Sequence, residues 1–342
     1  MLDRLFFAWE RRLASVTKDR VVRPFEWGLD WIDGNGHPPA TPPERVLLDW
    51  VDAALSDTQR FFDAPATSDF AFTELNRETG TVRFPSALRT PHPENNTVHA
   101  VYFRSARPTR DRRAVVVLPQ WNAGPDGHFG LCKLLTRFGL SALRLSLPYH
   151  DARMPPELHR ADYIVSANLA RTVQVCRQAV MNARRAVNWL SRQGYDRIGI
   201  LGTSLGSCLA LLTAAHEPLI KAQALNHISP FFADVVWRGL STAHVRAGLE
   251  GPVDLERLRE FWRPISPVQY LDRLHEKQTL LVYAKYDLTF PVDLSRMLVE
   301  EFRQRKLPHQ VAVLPCGHYS TGAAPFKYFD GWILARFLSR NL

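Results

Sequence analysis

The sequence predicts an α/β chain with a mostly parallel central sheet flanked by helices, and two observations carry that expectation. From Arg113 onward, short apolar runs alternate with longer segments of helical periodicity, as they do when crossover helices join parallel strands. The first run, AVVVLP at 114–119, is apolar without alternation, which is what a strand covered on both faces requires.

The expected elements follow in order. A helix is predicted over 128–138, a strand over 142–148, a long helix over 163–193 and a strand over 197–202. A helix over 205–215 and a strand over 223–229 come next. After an interruption, a strand over 279–287, a helix over 294–305, a strand over 310–316 and a helix over 326–338 complete the series. The interruption, 230–276, is helix-like and aromatic, with Phe231, Phe232, Trp237, Phe261 and Trp262. It reads as a helical lid inserted above the sheet. Ahead of the core, helical patterns at 5–16 and 45–62 flank a Pro-rich stretch at 37–44, and strand-like segments lie at 81–88 and 98–103. The expected division is an N-terminal helical extension at 1–75, a core at 76–229 and 277–342, and the lid at 230–276. The N-terminal hundred residues would form an extra layer, cover the site or make a homo-oligomer contact, and composition does not choose among these.

Composition excludes several classes. With 46% hydrophobic and 23% charged residues, the chain is ordinary for a globular protein. No apolar run approaches the roughly 18–20 residues of a membrane-spanning helix, so no transmembrane segment is expected. The opening MLDRLFFAWERRL lacks the features of a secretory signal, which makes cytoplasmic the default expectation. Cys132, Cys176, Cys208 and Cys316 form no C-x-x-C pair and read as small buried hydrophobes. The net charge of +9 is spread along the chain, and the densest run, at 104–113, reads as a solvated loop. No nucleic-acid partner is expected. The twelve histidines contain no H-E-x-x-H, and neither G-x-G-x-x-G nor a P-loop is present. No metal and no cofactor are expected.

The chemistry-bearing signal is Gly202-Thr203-Ser204-Leu205-Gly206, a G-x-S-x-G between a buried strand and an apolar helix. A serine at such a turn is held in strained backbone geometry with its hydroxyl raised above the sheet edge. The two glycines lack the Cβ atoms that would collide where strand and helix approach. The plain alternative is a glycine-rich turn whose serine only caps the helix. A hydroxyl needs a base, and the base an orienting acid. Asp287 closes one predicted strand and His318 follows the next, so parallel strands bring both to the same sheet end as Ser204. Each also has an ordinary reading, Asp287 as a surface charge and His318 as a loop residue.

On GTSLG, YAKYD and CGH, the stretch from about Arg113 to the C-terminus resembles the α/β-hydrolase superfamily, in particular its esterase, lipase and dienelactone-hydrolase-like branches. The resemblance covers some two-thirds of the chain. It implies a Ser204–His318–Asp287 triad, with the order Ser, Asp, His expected for that fold. It also implies an oxyanion hole using the N–H of Leu205 and a second N–H from the loop after the first core strand. That loop reads Gln120-Trp121-Asn122 where the family often has His-Gly, so the second donor falls on Trp121, with Gln120 as the fallback. Gln120, His150 and Arg153 are candidate substrate contacts. The loop at 148–153 also reads as a structural turn with an internal Asp151–Arg153 pair, and His128 as a rim residue or a bland one. The implied reaction is hydrolysis of a carboxylic ester of a small molecule or lipid. A peptidase or aminoacyl hydrolase of the prolyl-oligopeptidase-like branch and a non-catalytic scaffold binding a ligand or partner are the alternatives.

Overall fold

The computed structural model describes residues 2–32, 40–105 and 112–342. Much of the Pro-rich stretch at 37–44 and of the basic run at 104–113 lies outside them.

Nine strands form one sheet: β1 (Ala71–Glu74), β2 (Thr79–Pro85), β3 (Thr97–Phe103), β4 (Arg113–Leu118), β5 (Ser141–Leu145), β6 (Arg197–Thr203), β7 (Ile220–Asn226), β8 (Gln278–Ala284) and β9 (His309–Leu314). Their order is β1-β2-β3-β5-β4-β6-β7-β8-β9. The first three pair antiparallel, β3 pairs antiparallel with β5, and every later pairing is parallel. β1 is the exposed edge and lies inside the stretch expected to be a helical extension, whose last residues therefore extend the sheet.

Eleven α-helices accompany the sheet among the described residues: α1 (Leu2–Ala14), α2 (Pro43–Ser56), α3 (Thr58–Phe61), α4 (Phe129–Arg137), α5 (Leu169–Arg192), α6 (Leu205–His216), α7 (Phe232–Arg238), α8 (Ala243–Leu249), α9 (Leu255–Phe261), α10 (Val292–Gln304) and α11 (Phe326–Asn341). The helical pattern at 45–62 divides at Asp57, whose carboxylate accepts the Arg60 N–H and starts α3. The long helix begins at 169 and not at 163, because Asn168 caps it by accepting the Arg171 N–H. Its neighbour Glu26 bridges to the same residue.

The period-2 alternation of β4 divides its side chains between two cores. Ala114, Val116 and Leu118 pack into one cluster with α5 and α6, through residues such as Ala179, Val180 and Leu209. Val115 and Val117 enter the other, against Leu135 of α4 and Leu334 and Leu338 of α11. Burial on both faces is what the unbroken apolar run required. Among the described residues, no helix is long and apolar enough to cross a membrane.

Candidate active site

Ser204 stands at the turn from β6 to α6 with φ 56° and ψ −121°, a conformation costly for a residue bearing a Cβ. The surrounding glycines make that turn possible. A Cβ on Gly202 would lie 2.0 Å from Gly206 O, and one on Gly206 would lie 2.3 Å from Leu118 O. The Ser204 N–H donates to Asn226 O at 2.7 Å, which ties the turn to β7. Ser207 Oγ, 2.6 Å from Ser204 O and 2.7 Å from His227 O, closes the bend from below.

At the end of β8, Asp287 is buried and fully engaged. Its Oδ1 accepts the backbone N–H groups of Thr289 and Phe290, at 2.8 and 2.7 Å. Its Oδ2 accepts the Nδ1–H of His318 at 3.0 Å and the Nδ1–H of His227 at 2.9 Å. Burial alone would raise the Asp287 carboxyl. The charge of His318 and the hydrogen bonds from His227 and His318 outweigh it and hold the group well below the usual carboxylate range. With Nδ1–H given to Asp287, the basic lone pair of His318 is on Nε2. The His318 ring lies flat against Phe290, 5.4 Å between centroids and 2° between planes, and tilted against His227 at 4.5 Å.

The loop carrying His318 is fixed by α1. Glu10, wholly buried, accepts the N–H groups of Tyr319 and Ser320 at 2.9 and 2.8 Å and the Ser320 hydroxyl at 2.6 Å. A Cβ on Gly317 would meet the Glu10 side chain at 2.2 Å, so only glycine admits that approach. The N-terminal helix thus anchors the residue immediately after His318.

Ser204, Leu205, His318, His227, Gln120 and Trp121 all line one cavity of about 1140 Å³. Phe231, Phe232, Val235 and Val236 from the 230–276 insertion form an apolar wall of it, and Thr17 and Arg20 reach it from the N-terminal segment. Trp262 and Phe261 of the same insertion are instead wholly buried. Trp262 donates its indole N–H to Leu169 O and helps pin the insertion to the start of α5.

The structure corrects the expectation for the loop at 148–153. His150 and Arg153 are buried and neither lines the cavity. Arg153 donates to Asn95 O and Ser146 O, joining that loop to β5 and to the turn before β3. Asp151 pairs with Arg144 at 2.5 Å, not with Arg153. His150 gives Nδ1–H to Pro148 O and accepts the Asn122 N–H on Nε2 at 2.9 Å. Asn122, at φ 57°, in turn accepts the Ala161 N–H. His150 therefore holds the 120–122 loop from behind. His128 lines the cavity beside Ser204, with its Nε2 2.9 Å from Thr203 Oγ1, and burial first and then the charge of Arg144 lower its pKa to about 4.

No known family profile matches the sequence, and neither does any curated protein sequence. Solved structures do resemble it. Acetyl xylan esterase 1 from Thermoanaerobacterium sp. JW/SL YS485 superposes with a TM-score of 0.60 at 12% identity, covering 96% of this chain and 98% of that one. The chain has the α/β-hydrolase fold. Acetyl xylan esterase from Paenibacillus sp. R4 gives 0.60 at 16% identity over 91% of this chain and 98% of its own. Pyrococcus horikoshii acylaminoacyl peptidase gives 0.61 at 14% identity over 81% of this chain, which spans only 42% of that protein's length.

Within this α/β-hydrolase fold, His227 is the site residue that the sequence reading missed. The run 223–229 reads as one strand, yet β7 ends at Asn226 and His227 turns to φ 59°. The signal was a histidine at the C-terminal end of a parallel strand, the same reasoning that singled out Asp287. His227, Asp287 and His318 also form a group, the one found among the described residues, whose ligand atoms lie within 4.8 Å of one another. Both Nδ1 protons already bond Asp287 Oδ2, so a metal there would have to displace two hydrogen bonds.

Proposed function

We propose that this chain is a serine hydrolase that cleaves a carboxylic ester through Ser204, His318 and Asp287. The observation that carries this reading is the pairing of His318 Nδ1 with a saturated, buried Asp287 in the cavity that Ser204 enters from a strained strand-to-helix turn. A base in a fixed tautomer, lining the same cavity as the serine, is what activating that hydroxyl requires, and this supports the reading.

In the proposed reaction, Ser204 Oγ attacks the acyl carbon as His318 Nε2 takes its proton. The N–H groups of Leu205, at the start of α6, and Trp121 stabilise the oxyanion. The alcohol departs with the proton from His318, which next activates water to release the acid. The 230–276 insertion acts as a lid in this reading, since its apolar residues wall the cavity. Gln120, which also lines the cavity, is the remaining candidate substrate contact.

The peptidase alternative calls for an acidic pair in the insertion to hold a peptide amino terminus. Asp234, buried there, is instead held by two hydrogen bonds from Arg259, at 2.8 and 2.6 Å. Among the described residues lining the cavity, the one carboxylate is Asp330, on α11. This favours the ester.

Labelling by a fluorophosphonate probe, wild type against Ser204→Ala, together with turnover of 4-nitrophenyl esters, tests the proposal. Labelling and turnover both lost in the variant support it. Folded wild-type protein that neither labels nor turns over would favour the scaffold alternative.

A further inference from the structure

The charged side chains lining the cavity are Arg20, Lys133, Arg137, Arg160 and Lys327, against the single carboxylate of Asp330. Two of these cations touch Tyr319 and Trp121, which line the cavity with Ser204 and His318. Arg20 Nη2 donates to the phenol of Tyr319, the residue after His318, at 3.0 Å, and that phenol lies 2.6 Å from Ser241 Oγ. Arg160 lies over the Trp121 ring, 5.5 Å from its centroid, and pairs with Asp19 at 2.9 Å. The Nε of Arg20 is buried and has no hydrogen-bond acceptor among the described protein atoms, whereas that of Arg160 faces Asp162 Oδ1 at 3.7 Å.

Local acids do not neutralise this cluster. Asp162 pairs with Arg23 at 3.0 Å and approaches Arg160 at 3.7 Å, while Asp19 serves Arg160. No carboxylate among the described residues lies within 4.0 Å of the Arg20 guanidinium. Three guanidinium groups therefore face two carboxylates. A guanidinium that lines an apolar cavity and has no carboxylate partner is suited to a planar anion, which its fork can bind in pairs of hydrogen bonds. The same cavity is lined by Trp121 and the insertion's apolar residues, surroundings that suit an aliphatic spacer.

We propose that Arg20 and Arg160 form an anion subsite, and that the ester cleaved carries an ionised carboxylate remote from the scissile bond. This inference rests on the ester-hydrolase reading above and names the substrate class of that site. Asp19 and Tyr319 position the two arginines, and the N-terminal segment becomes part of substrate recognition.

Two matched substrate pairs test it. 4-Nitrophenyl hydrogen adipate against 4-nitrophenyl hexanoate places the charge on the acyl side. 4-Acetoxyphenylacetate against 4-ethylphenyl acetate places it on the alcohol side. In wild type, kcat/KM for the anionic member of at least one pair is expected to exceed that of its neutral partner by about tenfold, the worth of one charge-assisted hydrogen bond. That ratio is expected to fall as salt rises. Arg20→Gln is expected to remove most of the preference and Arg160→Gln part of it, whereas Arg303→Gln, the same charge change on exposed α10, keeps it. The wild-type ratio and its salt dependence need no variant, so an unfolded Arg20→Gln leaves the test intact. Neutral esters turned over without an anionic preference in either pair would overturn the subsite alone. A preference unchanged in folded Arg20→Gln would do the same. No turnover of any of the four esters by folded wild type would overturn the hydrolase reading itself.

Discussion

His227 and His318 meet ring to ring, 4.5 Å between centroids, and present their Nδ1 atoms to the same oxygen of Asp287. One carboxylate oxygen thus serves two imidazoles, while its twin is occupied by two backbone N–H groups. Asp287 is held by four donors and cannot rotate without breaking several of them. Of the two histidines, His318 stands in the loop after β9 that Glu10 braces, and His227 directly follows the end of β7.

This assigns His227 a positioning role. His227→Ala is expected to lower kcat about tenfold with KM changed less than about twofold, because a misplaced base affects the transition state more than binding. His318→Ala should cost on the order of ten-thousandfold. With one donor fewer on Oδ2, the carboxylate's charge is directed more fully at His318, and the acid limb of the kcat/KM profile is expected to move to higher pH. A purely structural loss would lower the plateau without moving that limb.

The parallel sheet explains how much of this was legible. Ser204, Asp287 and the residue before His318 follow runs of apolar residues that form β6, β8 and β9, and strand C-termini in a parallel sheet share one edge. His227 obeys the same rule, but the apolar continuation Ile228 hid the end of β7, which only the backbone turn reveals. Glu10 was illegible for another reason. Its partners Tyr319 and Ser320 are more than 300 positions away, and no local pattern encodes that contact. The loop at 148–153 misled because loops at that edge usually face the cavity. Here Arg144, Arg153 and Asn95 fold it inward to tie β5 to its neighbours.

Glu10 gives the N-terminal helix a measurable consequence. Glu10→Ala would leave two backbone N–H groups and a hydroxyl without their acceptor in a buried site. The expected loss is roughly 2–4 kcal/mol, read from urea unfolding midpoints. Turnover should fall together with stability, because the same bonds fix the loop next to His318. Glu10→Gln, which retains one acceptor oxygen, should recover part of both. Unchanged kcat in folded Glu10→Ala would detach α1 from the site.

Acid should destabilise the fold in a defined window. His128, His150, His216 and His244 are each lowered to about 4, in every case chiefly by burial. Their folded values lie below the unfolded value near 6.5, so between about pH 6.5 and 4 the unfolded chain binds protons that the native chain does not. Stability is therefore lost as pH falls through that window. Asp330 opposes this, since burial raises it to about 6 and the native state takes up its proton first. These groups leave a net uptake of about three protons on unfolding, which makes the loss steepest in the middle of that window. His150→Gln should flatten the slope of stability against pH by about one proton, because protonating His150 would cost the Asn122 N–H its acceptor. A slope unaltered in this variant would show that His150 titrates normally.

The aromatic residues of the insertion divide into two kinds, and the division predicts which of them sets selectivity. Phe231 lines the cavity, whereas Trp237 does not and has Arg246 over its ring, 5.3 Å from the centroid. Phe231→Ala should enlarge the acyl wall and shift preference among 4-nitrophenyl esters toward longer chains. One methylene in an apolar pocket is worth ~1 kcal/mol, so the shift should amount to about fivefold per added carbon. Trp237→Ala should leave the chain-length profile as it is and alter stability alone. If Trp237→Ala changed the profile and Phe231→Ala did not, the cavity wall would have to be built from the opposite face of α7, and the proposed lid would lose its apolar lining.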